Sequence, residues 1–167
     1  MVMGVIANVF YIDMGFDKQE IGRVTKGFGL IMTIVGGFIG GLIIIRFGVM
    51  KALFLGAILA ASTNILFMLL ANLQKDIVLL SVIISADNLS AGIASAAFVA
   101  YLSGLTNHSF TATQYAIFSS IMLLLPKFLA GYSGVFVEFL GYSEFFLLTA
   151  IMGLPVLIIV IIIAKYS

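Results

Sequence analysis

Long apolar runs separated by short polar breaks dominate the chain and predict membrane-spanning helices. About 20 apolar residues are needed to cross the roughly 30 Å hydrocarbon core of a bilayer. Several runs reach that length, and the breaks between them contain charged, amide or glycine residues. These runs cover residues 21–45, 52–71, 77–105, 113–140 and 145–164.

Residues 1–12 form a shorter apolar run that ends at Asp13. Twelve helical residues rise only about 18 Å, which is too little to span the bilayer. No basic residue precedes the run, so it lacks the pattern of a signal peptide. The sequence therefore predicts a partial first helix and indicates that the chain is part of something larger. No connection is long enough for a soluble domain, so residues 1–167 are predicted to form a single transmembrane helical bundle.

The composition supports the same fold class. Hydrophobic residues make up 63% and charged residues 9% of the chain, and the mean hydropathy is +1.27. Soluble domains carry roughly 25% charged residues. A soluble core of this size cannot hide so much apolar surface. We therefore expect an all-α polytopic membrane protein in a lipid bilayer, with about five full transmembrane helices and the partial first one.

The charged and metal-binding residue types exclude several function classes. Eight Lys plus Arg and seven Asp plus Glu give a net charge of +1, without the basic stripe of a nucleic-acid-binding protein. The chain has no cysteine and a single histidine, His108, which cannot build a metal site alone. We expect no nucleic-acid partner, no metal and no other cofactor. His108 lies in a polar turn and is predicted to be a solvated loop residue.

The basic residues in the short loops predict the orientation of the bundle. One side holds Arg46, Lys51 and Lys165, with the neutral His108. The other side holds Asp13, Asp17, Lys18, Glu20, Lys75, Asp76, Glu138 and Glu144. We expect the Arg46 loop and the C-terminus to face the cytoplasm.

Glycine pairs predict close helix packing in the second helix. Helices in lipid pack through small residues, because lipid supplies no hydrophobic force between them. Gly36 with Gly40 and Gly37 with Gly41 both form GxxxG pairs. This pattern indicates helices inside a bundle and no particular function.

Two ionisable residues lie deep in the predicted membrane interior. Such residues are costly there and usually face a protein interior or a water-filled cavity. Asp87 lies about ten residues into the fourth long run, and Lys127 lies near the middle of the next. We expect them to share a polar interior and to pair. A static ion pair and a substrate or proton site remain equally open interpretations.

Other polar residues are candidates for contact with a solute. Arg23 and Lys26, three residues apart, could form a basic mouth or anchor the helix at the interface. Asn88 and Gln114 carry amides that suit hydrogen bonds to a polar solute or between helices. Neither interpretation excludes the other.

Two stretches carry a family resemblance. Gly41, Arg46, Gly48 and Lys51 resemble the loop motif between the eighth and ninth helices of the major facilitator superfamily, with Ile45 at its acidic position. The stretch from Asp87-Asn88-Leu89 through Ser109-Phe110-Thr111-Ala112-Thr113-Gln114-Tyr115-Ala116 resembles the tenth and eleventh helices of AmpG-type muropeptide permeases. The similarity covers nearly the whole chain but only the C-terminal half of the usual carrier. It implies a six-helix bundle whose first helix is incomplete.

The resemblance also implies a function. AmpG-type permeases are proton-driven importers of anhydro-muropeptides in the bacterial inner membrane, where they serve peptidoglycan recycling. The family-matching positions are Lys26, Asp87, Asn88 and Gln114. Asp87 stands where the family commonly has glutamate, and Lys127 stands where arginine is expected. The resemblance therefore implies a multi-pass carrier with muropeptide and proton as its transported species.

Several functional interpretations remain open. One half of a facilitator carrier supplies only one wall of the substrate path. Transport would then need an N-terminal half-carrier or a homo-oligomer. The chain could instead be a truncated relic that transports nothing, or part of a facilitator carrier for another solute. A small membrane enzyme that used Asp87 as acid or base would need partner carboxylates or a nucleophile. The sequence shows no such set of residues, so we expect no enzyme.

Overall fold

Helices joined by short turns make up the chain. The computed structural model describes residues 2–105 and 111–166, and all regular structure in these ranges is helical. The helices are α1 (Val2–Asp13), α2 (Lys18–Phe47), α3 (Val49–Ala71), α4 (Ile77–Leu105), α5 (Thr111–Gly131), α6 (Ser133–Ile151) and α7 (Gly153–Tyr166). Within the described ranges, five stretches are long and apolar enough to cross a membrane: α2, α3, α4, nearly all of α5, and α6 with most of α7. The predicted all-α polytopic fold class is therefore confirmed, whereas the turn that carries His108 lies outside the described residues.

Two glycines provide the sharpest changes of chain direction. Gly48 is the single residue between α2 and α3 and has φ 89° and ψ 163°. Gly141 interrupts α6 with φ 78° and ψ 166°. This region of backbone conformation is essentially restricted to glycine, because a Cβ atom would clash there. α6 therefore consists of two helical segments that meet at Gly141, the first residue of the polar break between the last two apolar runs.

Each of the last two apolar runs is divided in the structure. The run 113–140 comprises most of α5 and the first segment of α6, with a break at Tyr132. The run 145–164 comprises the second segment of α6 and most of α7, with a break at Met152. Gly153 and Pro155 favour the second break, because glycine is a weak helix former and proline lacks the backbone N–H that would donate to the Ile151 carbonyl in a continuous helix.

α4 lies at the centre of the helix packing. Its most extensive contact is with the α-helical part of α2, followed by its contact with α3. The backbones of α2 and α4 approach so closely that a Cβ atom on Gly36 would lie 2.2 Å from the Leu89 carbonyl oxygen. A Cβ atom on Gly92 would lie 2.3 Å from the Thr33 carbonyl oxygen. Glycine is therefore required on both sides of this interface.

An aromatic core and polar contacts close the end of the bundle that carries most of the acidic residues. Phe10, Phe67 and Phe146 bring α1, α3 and α6 together, and all three are fully buried. Polar contacts at this end join Glu20 to Lys75 at 2.8 Å, Asn72 to Ser143 at 2.9 Å, and Tyr142 to Asp13. The first contact joins the start of α2 to the connection between α3 and α4, and the other two join the ends of α3 and α1 to the second segment of α6.

The outer surface of the bundle is apolar. Phe38 on α2 is 74% exposed and Phe139 on α6 is 84% exposed. A soluble monomer rarely exposes apolar patches of this extent. Hydrocarbon is the surrounding medium that such a surface suits.

Candidate functional site in the membrane interior

Asp87 and Asn88 place a carboxyl and an amide in the interior of the membrane-spanning helix α4. Asp87 lies ten residues after the start of α4, which corresponds to about 15 Å along the helix axis. Consecutive helical residues point about 100° apart, so these two side chains face different neighbours. Both are half-buried. Asp87 faces α3, and Asn88 faces α2.

Thr63 of α3 is the hydrogen-bonding partner of Asp87. The Thr63 hydroxyl oxygen lies 2.9 Å from Asp87 Oδ1 and 3.0 Å from the Ala60 carbonyl oxygen. The hydroxyl has one proton to donate and can also accept. It can donate to a charged Asp87, or accept from a protonated Asp87 while donating to Ala60. The carboxyl therefore keeps a hydrogen bond in both of its protonation states.

Asn88 links α4 to α2 through Thr33. The Thr33 hydroxyl lies 3.0 Å from Asn88 Oδ1 and 2.9 Å from the Gly29 carbonyl oxygen. The amide group of Asn88 donates to the Ile84 carbonyl at 2.8 Å. A Cβ atom on Gly29 would lie 3.2 Å from the amide nitrogen, so glycine gives this amide its space.

A π-helical segment, Val24–Gly29, precedes Thr33 in α2 and contacts α4. Single π-helical turns inside α-helices occur frequently at functional sites. Lys26 lies in this segment, three residues before Gly29. The expectation that Arg23 and Lys26 share a face assumed α-helical spacing, which the wider π turn interrupts. Both side chains are exposed.

Lys127 does not join the site around Asp87. The expected ion pair between Asp87 and Lys127 is absent, and the ion pair observed among the described residues is that of Lys75 with Glu20. Lys127 is exposed on α5, which makes few contacts with α4. Gln114 is half-buried near the start of α5. The structure thus brings together Asp87, Asn88 and the π-helical segment, and it places Lys127 apart.

The residues that resemble the facilitator loop motif lie around the turn between α2 and α3. Arg46 is in the last turn of α2, with its guanidinium carbon 5.5 Å from the centre of the Phe47 ring. Gly48 makes the turn itself, and Lys51 is exposed near the start of α3. A Cβ atom on Gly41 would meet no atom within 4 Å. Arg46, Gly48 and Lys51 lie at the same end of the bundle as Lys165.

Comparisons with known proteins address the family. No protein-family model matches the chain. The chain is 37% identical over 158 residues to AmpG 4 of Rickettsia conorii, named as a transporter, which covers 95% of this chain and 38% of that protein. It is 35% identical over 149 residues to the anhydromuropeptide permease of Escherichia coli K12, which covers 89% of this chain and 30% of that protein. The chain is a homologue of the AmpG transporters.

This homology confirms the resemblance to AmpG-type permeases over nearly the whole chain. A further relative, AmpG 1 of Rickettsia bellii, is 34% identical over 159 residues, or 95% of this chain and 39% of that protein. The chain spans about two fifths or less of the length of these relatives. The chain therefore matches one part of each of these longer proteins.

Two residues of the candidate site were not predicted from the sequence. Thr33 and Thr63 lie inside apolar runs, and their hydroxyl groups hydrogen-bond to Asn88 and Asp87 respectively. Thr63 stands in the polar triplet Ser62-Thr63-Asn64, in the middle of an otherwise apolar run. That triplet was the available signal, because three polar residues in succession must present at least one side chain to the bundle interior.

Proposed function

We propose that this chain forms part of the transport path of a proton-coupled importer of anhydro-muropeptides in the bacterial inner membrane. The homology to AmpG transporters and to an anhydromuropeptide permease supports the substrate class. The observation that carries the proposal is Asp87, which is half-buried ten residues after the start of α4 and hydrogen-bonded to Thr63. The rest of the path would come from helices outside this sequence, on the same polypeptide, on a separate N-terminal half-carrier or on a second copy.

The mechanism in this proposal is alternating access around a site near the bilayer midplane. Asp87 takes up a proton when it faces the outside and releases it when it faces the cytoplasm. A charged carboxylate in the membrane interior is costly, so protonation makes the change of access easier. Thr63 supports both protonation states of Asp87 through its two hydrogen-bonding options.

Substrate contacts fall to polar residues on three helices, α2, α4 and α5. Asn88 offers amide groups to sugar hydroxyls or peptide groups, and Gln114 does the same from α5. Lys26, Arg23 and Lys127 offer positive charge to the carboxylates of a muropeptide. Their exposure on the bundle surface leaves these cations accessible to a substrate between this bundle and the rest of the carrier.

The orientation follows from the distribution of charge. Gly41, Arg46, Gly48 and Lys51 lie at or near the end of the bundle that also carries Lys165. Cytoplasmic loops carry an excess of Lys and Arg. We assign this end, and the C-terminus with it, to the cytoplasm.

Uptake of labelled anhydro-muropeptide by cells without their own permease tests the proposal. The chain is expressed alone and with the remaining helices of the Escherichia coli permease. With those helices, we expect accumulation driven by a proton gradient. Uptake of a different solute only would indicate another facilitator carrier. Absence of all uptake by a correctly inserted complex would indicate a relic.

Asp87→Asn tests the coupling role, with Asp76→Asn as its matched control. Asp76 accepts from the backbone N–H groups of Val78 and Leu79 at the start of α4, a capping role that asparagine also fills. We expect Asp87→Asn to abolish accumulation but to retain exchange of labelled for unlabelled muropeptide. Asp76→Asn should behave as the unsubstituted chain. Normal proton-driven accumulation by Asp87→Asn would remove the coupling role.

A further inference from the structure

An apolar groove opens between α3, α4 and α7 on the outside of the bundle. Its volume is about 310 Å³, and its lining includes Leu53, Ala57, Phe98 and Val160. A second opening of about 420 Å³ shares Met50 and Val160 with it and includes Lys51. The two openings lie next to each other along α3 and α7, and together they make up the groove.

Small residues on α3 explain why the groove is open. α3 and α7 meet closely at one level, where a Cβ atom on Gly153 would lie 3.3 Å from the Cβ atom of Ala61. From that level toward Met50, α3 presents Ala57 and Ala60 to the groove, whereas Gly56 packs against Ala94 of α4, where a Cβ atom would lie 2.9 Å from the Ala94 Cα atom. These side chains are too short to fill the space between the helices.

The length of the groove matches one leaflet of a bilayer. The lining residues of α3 extend from Met50 to Ala60, ten residues along the helix. Ten helical residues rise about 15 Å. The hydrocarbon core of a bilayer is about 30 Å thick, so one leaflet contributes about 15 Å. The groove thus has the depth of one acyl chain inserted from the end that carries Lys51.

The charge at the mouth of the groove favours an anion. Lys51 lines the mouth, and Arg46 and Lys165 lie at the same end of the bundle. All seven acidic residues belong to the opposite end or to the membrane interior. The Tyr101 side chain lines the groove seven residues beyond Ala94, toward the same mouth. Basic pockets between transmembrane helices are typical binding sites for the headgroups of anionic lipids.

We propose that this groove binds one acyl chain of an anionic phospholipid, with the phosphate of its headgroup beside Lys51. The apolar lining accommodates the chain, and Lys51 selects the anionic headgroup. The lipid stabilises the contact of α7 with α3 by filling the space that their small residues leave. The groove shares no residue with the site around Asp87, so this proposal is independent of the proton-coupling role.

Tryptophan fluorescence tests the proposal directly, because the chain contains no tryptophan. Phe98→Trp places a single reporter in the groove, and Phe38→Trp places one on the exposed face of α2. Each chain is reconstituted into phosphatidylcholine vesicles that contain increasing fractions of brominated phosphatidylglycerol, which quenches nearby tryptophan. We expect the Phe98→Trp chain to prefer phosphatidylglycerol by about fivefold, from the attraction of one lysine. The Phe38→Trp chain should show no preference.

Lys51→Gln on the Phe98→Trp chain should abolish this preference, whereas Arg46→Gln should retain most of it. Equal preference at both reporters, or a preference that survives Lys51→Gln, would overturn the proposal and indicate ordinary lipid contact. Headgroup-independent quenching that weakens as the protein density in the vesicles rises would instead assign the groove to a second copy of the chain. If Phe98→Trp fails to fold, Tyr101→Trp serves as the groove reporter with the same expected outcomes.

Discussion

The Thr63 hydroxyl determines how Asp87 is accommodated in the membrane interior. Thr63 is only 4% exposed and lies within hydrogen-bonding distance of both a carboxylate oxygen and a backbone carbonyl oxygen. A carboxyl that changes its charge in a poorly hydrated place needs a partner that can both donate and accept. A hydroxyl is the smallest side-chain group with that property.

Thr63→Val should impair proton-driven uptake, because valine keeps the branched shape and removes the hydroxyl. Hydrogen bonds to charged groups are worth roughly 1.5–3 kcal/mol, so we expect a loss of accumulation of about tenfold or more. Thr63→Ser restores the hydroxyl and should recover most of the activity. The measurement is muropeptide accumulation at a fixed proton gradient. Equal activity of the two variants would show that the hydroxyl has no part in coupling.

The contrast between Asp87 and Thr63 shows which site residues a sequence can reveal. Asp87 and Asn88 stand out because a charge and an amide are rare inside an apolar run. Thr33 and Thr63 do not stand out, because a threonine in a membrane helix can bond to its own backbone, as Thr25 does with Ile21. Lys127 was expected beside Asp87 because depth in the membrane was the available criterion, and depth does not tell which helices touch.

Gly48 provides a second test at the scale of one residue. Its φ of 89° and ψ of 163° suit glycine and almost no other residue. Gly48→Ala should lower the free energy of unfolding by about 1–3 kcal/mol. Gly22→Ala is the control, because Gly22 is helical and its Cβ atom would meet no atom within 4 Å. Unfolding in mixed detergent micelles measures both, and equal stability of the two variants would contradict the strain argument.

At the scale of helices, hydropathy reveals which segments span the membrane but not how they pack. The apolar runs correspond to long helices because a spanning segment must satisfy its own backbone hydrogen bonds. From the sequence alone, neither GxxxG pair of α2 could be preferred as the one that packs against another helix. In the structure, Gly36 and Gly40 face α4, whereas Gly37 and Gly41 would accept a Cβ atom in open space. The π-helical segment was not predicted from hydropathy either, and in the structure it contacts α4.

Gly36→Ala and Gly37→Ala form a matched pair for the packing of α2 against α4. A Cβ atom on Gly36 would lie 2.2 Å from the Leu89 carbonyl oxygen, so the helices must separate. We expect Gly36→Ala to lower the free energy of unfolding by about 1–3 kcal/mol. Gly37→Ala should be neutral or slightly stabilising, since alanine favours helix over glycine by about 1 kcal/mol. Unfolding in detergent distinguishes the two, and a larger loss for Gly37→Ala would contradict the observed interface.

At the scale of the whole molecule, the two ends of the bundle differ in charge. One end carries most of the acidic residues and is closed by the contacts of Glu20 with Lys75 and of Asp13 with Tyr142. The other end carries Arg46, Lys51 and Lys165 and has the groove between α3 and α7. Two proposals rest on this asymmetry. The basic end is the one that we assign to the cytoplasm, and it is also the one that we propose to bind anionic lipid.

Single-cysteine labelling tests that asymmetry, and the absence of native cysteine means that no background has to be removed. Glu144→Cys places a thiol at the acidic end, and Lys165→Cys places one at the basic end; both positions are exposed. In spheroplasts, a membrane-impermeant maleimide should label Glu144→Cys directly and Lys165→Cys only after permeabilisation. The reverse pattern would place the basic end outside the cell. It would also place the lipid groove in the outer leaflet of the inner membrane and reverse the direction in which Asp87 delivers its proton.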